Sequence, residues 1–260
     1  MTVHDVELDL LEDTLRKTMT PAGDVDAALS ELGWAEMLTE MPDVTVPLVF
    51  RLLGETGSHA AILNDVVLAD AGLPLGGAVP VPFAGGTWVV WERGAESGAS
   101  VDPGISVRPV DRGRAVPLAA GRRALGWWLV GTSRAMLTLA RTHALDRTQF
   151  GKPVAGFQAV RHKLAETLVA IEGAEATLTV SDGDLGALLA KAAAGQAALT
   201  AARHCQQVLG GIGFTAEHDL HRHVRRVLVL DGLLGSSREL TREAGSLIRS
   251  QGSAPRLAQL

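Results

Sequence analysis

From Leu118 almost to its end the sequence repeats apolar residues at three- and four-residue steps, broken only at 150–153, 181–184 and 210–213. Breaks that short force consecutive helices to run antiparallel and pack side by side. The pattern predicts helices over roughly 119–146, 156–180, 185–209 and 217–231, with a last one near 237–250. The first four make a bundle. In the second, Phe157, Val160, Leu164, Leu168 and Ile171 form one apolar stripe, while Arg161, Lys163, Glu166 and Glu172 point elsewhere. Ser181 or Asp182 is placed to cap the following helix by accepting a backbone N–H.

The preceding residues read differently. Between 6 and 71 the spacing is helical: Leu8, Leu11 and Leu15 share a face, Ala28, Leu29 and Leu32 lie in a second segment closed by Gly33, and 46–68 reads as a third helix. From Gly72 to Pro117, Gly and Pro punctuate two β-rich runs, 87–91 and 105–110. The expected organisation is a reduced N-terminal helical region (1–71), a shortened β insert (72–117) and a C-terminal helical bundle (118–260).

Composition excludes several functions. A net charge of -5, with Lys and Arg scattered, gives no basic face for nucleic acid. The acidic first fifteen residues lack a secretory n-region, and Arg, Gly or Asp interrupts every apolar run, so no membrane partner is expected and the cytoplasm is the expected location. Cys205, the single cysteine, reads as a small buried hydrophobe. His218, His221 and His223 lack the carboxylates or thiolates of a metal site and read as a solvated or interface face, so no metal is expected. Trp127 and Trp128 cannot share one helix face, so one of them should meet a partner or another domain.

Two segments carry more specific information. One is Asp146-Arg147-Thr148-Gln149-Phe150-Gly151-Lys152-Pro153-Val154, continued by Phe157-Gln158-Ala159-Val160-Arg161-His162-Lys163-Leu164-Ala165. The other is Gln206-Gln207-Val208-Leu209-Gly210-Gly211-Ile212-Gly213-Phe214-Thr215, followed by Glu217-His218-Asp219-Leu220-His221-Arg222. In order and spacing both resemble signatures of the acyl-CoA dehydrogenase family. The resemblance implies a mainly α fold with a C-terminal four-helix bundle and a vestigial β insert. It implies FAD as cofactor, with Arg147, Gln149, Phe150, Gln158, Gln207 and Gly211 gripping the adenosine-diphosphate half of a flavin held mainly by a neighbouring subunit. The chemistry is compatible: a guanidinium can grip a pyrophosphate at two points, and paired glycines let backbone N–H groups approach a ligand.

The same resemblance shows what this chain lacks. The family uses a carboxylate to remove a proton from the acyl thioester, usually within a Tyr-Glu-Gly-Thr stretch. The matching residues here are Leu233-Leu234-Gly235-Ser236, and Leu234 accepts no proton. A minority branch places the base near Gly121, but no Asp or Glu occurs from Arg112 to Leu145. Asp231, one turn before Leu234, is a weak candidate. The motifs that hold the flavin ring in a full β-barrel are also missing from the insert.

The expectation is a subunit that lacks its own base, in an α2β2 assembly with a full-length acyl-CoA dehydrogenase. It would contribute FAD contacts to α,β-desaturation of an acyl-CoA such as a steroid side-chain thioester. The alternatives are a flavin-free structural or regulatory homodimer, and an active homo-oligomer using Asp231.

Overall fold

A computed structural model of the chain describes residues 3–19, 23–93 and 101–254. Five helices come first: α1 (Val3–Thr18), α2 (Val25–Glu31), α3 (Trp34–Glu40), α4 (Pro42–Thr56) and α5 (Leu63–Asp70). An antiparallel sheet follows, with β2 (Thr87–Trp91) between β1 (Val81–Phe83) and β3 (Val107–Val110). Then come α6 (Ala119–Asp146), a hairpin of β4 (Thr148–Gln149) and β5 (Lys152–Pro153), α7 (Gln158–Thr179), α8 (Gly183–Leu209), α9 (Leu220–Gly232) and α10 (Ser237–Gln251). The molecule is mainly helical, with the expected C-terminal bundle.

Three expectations need correction. The run 46–68 is two helices, because Gly57 ends α4 in the left-handed region at φ +73°. The backbone of the turn after it has partners elsewhere: Ala61 N–H donates to Asp26 and Ser58 C=O accepts from Arg226. The apolar stripe of α7 is also rotated from its expected place. Thr167, Ile171, Ala174 and Leu178 are buried while Leu168 is exposed. Thr167 fits the seam because its hydroxyl donates to the Lys163 carbonyl one turn back. Finally, α8 with the 3₁₀ turn after it is, by length and composition, apolar enough to cross a membrane. It is instead the core of the bundle, burying Ala190, Ala194, Ala198, Ala201 and Cys205 among others. Burial there pushes the Cys205 thiol up to about 12.

The N-terminal helices are anchored by a close crossing of α4 and α6. A Cβ on Gly131 would collide with the Arg51 carbonyl, and one on Gly54 with the backbone at Trp128 and Thr132. Only glycine allows the two backbones so near each other. Beside the crossing Trp128 is fully buried, edge-on to Phe50 with ring centres 5.8 Å apart and stacked on Trp91 at 5.9 Å. It is therefore the tryptophan that meets the rest of the chain, while Trp127 is half-buried. The sheet leans on the bundle through β1, whose Phe83 bridges Leu233. Its other margin is β3, where Arg108 and Pro109 are exposed.

Candidate functional site: a bundle end and a sealed turn

The antiparallel bundle brings the C-termini of α6 and α8 and the N-termini of α7 and α9 to one end. The His143 and His218 rings meet edge-to-face there at 6.4 Å, joining the last turn of α6 to the segment before α9. Burial, then the neighbouring His218 and Arg147, hold His143 below the ordinary histidine range. All six residues expected to contact a flavin lie in the connections or helix termini at this end, and all six are exposed.

Their local structure follows from the sequence. Arg147 caps α6 through its N–H to the His143 carbonyl, then turns into the hairpin, where its own carbonyl accepts from Val154. The hairpin turn is Phe150-Gly151, both at positive φ, +53° and +78°. That geometry suits Asn-Gly, and phenylalanine in it is strained by about 1–2 kcal/mol. Phe150 is nonetheless 92% exposed, touching only Phe157 edge-on at 6.2 Å, with Lys152 4.3 Å over the Phe157 ring. The Gln149 amide donates to the Thr148 carbonyl, and Gln158 meets His162. Among the described residues the Arg147 side chain has no hydrogen-bond or ion-pair partner. Gly210 ends α8 at φ +66°, and around Gly211 a Cβ would meet nothing within 4 Å.

The two possible base positions meet at one point. A Cβ on Gly121 would stand 2.9 Å from Leu234 Cδ1 and 2.8 Å from Val67 Cγ2. Leu234 is wholly buried and adopts φ +58°, which a side chain other than glycine rarely does. The point where the resemblance expects a carboxylate is packed with hydrocarbon.

Asp231 faces the other way. Its Oδ1 accepts from the Ser237 N–H at 3.0 Å, fixing the start of α10, and it lies so near Gly195 of α8 that a Cβ there would collide with it. Beneath it Lys191, fully buried, donates from Nζ to the carbonyls of Asp231 at 2.9 Å and Gly235 at 2.6 Å. Burial pushes the Lys191 ammonium down to about 7. The sequence signal of this residue is a lone lysine in a run of alanines, which points to a buried partner. Among the three noted histidines, His223 is half-buried beside Gly57, and desolvation pushes it down to about 4. Among the described residues no group of three or more His, Cys, Asp or Glu is placed to hold a metal ion.

Residues 115–244 match the family described as Acyl-CoA dehydrogenase, C-terminal domain. The chain is 38% identical over 130 residues to the acyl-CoA dehydrogenase FadE34 of Mycobacterium tuberculosis, covering 46% of this chain and 18% of that protein. It is 37% identical over 122 residues to IpdE2 of the same organism, covering 45% of this chain and 38% of that protein. The matched part thus spans well under half the length of these curated relatives. Among solved structures, a variant of the Tcur3481-Tcur3483 steroid ACAD superposes with a TM-score of 0.73 at 18% identity, covering 96% of this chain and 99% of that one. The ChsE4-ChsE5 complex from Mycobacterium tuberculosis gives 0.71 at 18% identity, covering 98% and 99%. At that identity the likeness establishes the fold alone.

Proposed function

Because the chain belongs to the acyl-CoA dehydrogenase family, we propose that it is a subunit of an FAD-dependent acyl-CoA dehydrogenase that lends flavin contacts to a partner and supplies no catalytic base. One observation carries this reading: the six residues expected to contact a flavin stand exposed at one bundle end, with the Arg147 guanidinium unpartnered among the described residues, while hydrocarbon packs Gly121 and Leu234, the two positions where the resemblance expects a base. A free, exposed guanidinium beside an open glycine turn suits a pyrophosphate. A wholly buried leucine cannot take a proton from a substrate.

In this reading a full-length dehydrogenase subunit holds the flavin ring and the acyl-CoA, and supplies the base. FAD, when bound, would supply the hydride acceptor. This chain's residues bind and orient: Arg147 grips the pyrophosphate, Gln149, Gln158 and Gln207 offer amides, Phe150 offers an aromatic surface, and Gly211 lets the ligand approach the backbone. The assembly is an α2β2 tetramer with one flavin per pair of unlike chains. The solved Tcur3481-Tcur3483 steroid ACAD and ChsE4-ChsE5 complex each pair two proteins, which favours a heteromer, and the former favours a steroid substrate class. Asp231 does not act as base, since its carboxylate caps α10.

Co-expression with a full-length acyl-CoA dehydrogenase encoded beside it tests the proposal. The expected result is a co-purifying complex carrying one FAD per pair and oxidising an acyl-CoA, with the lone chain poor in flavin. A lone chain that carries stoichiometric flavin and oxidises an acyl-CoA overturns it. A complex without flavin leaves a structural role.

A further inference from the structure

The turn between α9 and α10 is held from two sides. From the sheet side, the Leu234 N–H donates to the Pro82 carbonyl at 2.8 Å, and Phe83 forms an antiparallel bridge with Leu233. The Gly85 N–H donates to Glu239 Oε1 at 2.9 Å, and the other oxygen of Glu239 accepts from the N–H and hydroxyl of Ser236. The Phe83 ring presses on Gly232 so closely that a Cβ there would collide with it. From the bundle side, Lys191 donates to the carbonyls of Asp231 and Gly235, and Arg122 Nε donates to the Leu234 carbonyl at 3.3 Å.

These contacts hold a conformation the turn would not choose alone. Leu234 and Gly235 lie at φ +58° and +99°, and a strained leucine persists only where its surroundings over-determine it. A base at this turn would need open space for an acyl chain within hydrogen-bond reach. Here the Leu234 side chain is wholly buried against Gly121, its N–H is taken by Pro82, and the end of α9 at Gly232 is covered by Phe83.

We propose that the segment 81–86 is a resident plug: it occupies the space in front of the α9–α10 turn, so this chain excludes acyl-CoA from its own cleft by a built contact. The inference rests on the family reading, which identifies the Leu234 turn as the base position. It adds that the cleft is closed, beyond lacking a carboxylate. The shortened insert then has a positive role, keeping substrate and flavin ring to the partner's side of the assembly.

Amide hydrogen exchange on the full chain tests it, read at Leu234. The amide should exchange at least about a hundredfold more slowly than exposed amides such as that of Gly151. It should not change when millimolar octanoyl-CoA and FAD are added, either to the lone chain or to the complex with its partner. Phe83→Ala should speed exchange at Leu234 and leave the amides of α8 unchanged. Fast exchange in the unliganded chain overturns the plug. Deprotection on adding octanoyl-CoA and FAD also overturns it, because the segment is then a displaceable lid. The wild-type comparison stands even if Phe83→Ala does not fold. Because the lone chain is read directly, the plug can fail while the complex still binds flavin, and it can hold where the complex binds none.

Discussion

Arg226 on α9 and Asp102, which precedes β3, form an ion pair buried in the core. The guanidinium also donates to the Ser58 carbonyl at 2.6 Å and lies 5.8 Å over the Trp128 ring. One side chain therefore joins the bundle, the turn between α4 and α5, and the approach to the sheet. Two buried charges are tolerable only together, and removing one leaves the other desolvated without a partner.

Asp102→Asn should therefore destabilise the chain by about 3–5 kcal/mol, the usual cost of breaking a buried pair from one side. Urea unfolding followed by tryptophan fluorescence measures it. A loss below about 1 kcal/mol, the range of surface pairs, contradicts the buried contact.

Lys191 predicts a pH dependence of definite sign. Its folded value of about 7 lies below the ordinary 10.5, so between those values the unfolded chain binds more protons than the folded one. Stability contributed through Lys191 should then rise as pH climbs from 7 towards 10.5, by up to about 1.4 kcal/mol per pH unit, and be flat below 7. Denaturation curves at pH 7, 8 and 9 for wild type and Lys191→Met check this. The variant should lose that slope.

Arg147→Lys should weaken FAD retention in the assembled complex by about ten- to hundredfold, because an ammonium cannot reproduce the planar two-point fork. Assembly should be unaffected, since Arg147 is exposed and has no partner of its own among the described residues. Flavin content and dissociation constant, with oligomer size measured alongside, decide it. Unchanged affinity in an intact complex makes Arg147 an ordinary surface residue.

Asp231→Asn should leave turnover of the complex within a few-fold. The amide oxygen can still accept from the Ser237 N–H, and in the proposed assembly the partner supplies the base. A loss of about a thousandfold or more, above the low end of what general acid–base catalysis contributes, would make Asp231 the base. Steady-state rates on an acyl-CoA settle the matter.

The bundle was legible because its helices are long and strongly patterned: the spacing predicts 119–146, and α6 occupies those residues. Short elements were not. Three residues, Val81–Phe83, carry too little alternation to read as a strand, and α3 is only seven residues long. The exposed end could be placed because its residues lie in two contiguous segments beside helix ends. The sealed turn was only half legible. That a leucine stands where the resemblance expects a carboxylate can be read from the chain, but the packing of Leu234 near Val67, Pro82 and Gly121 is brought about only by folding. Arg226 was invisible for the same reason: in a helix that also carries Arg222 and Arg225, nothing local distinguishes the one arginine whose carboxylate comes from 124 positions away.

The outer margin of the sheet has a consequence for solubility. Among the described residues the sheet has three strands and β3 forms its margin, and an unpaired strand edge is a template on which other chains can stack. β3 is four residues long, carries the charge of Arg108, and has at Pro109 a residue with no N–H to donate. The opposite margin is occupied, because Phe83 and Pro82 are already paired with the turn after α9. Both margins of the described sheet are therefore protected, and the chain should tolerate high concentration without forming β-aggregates.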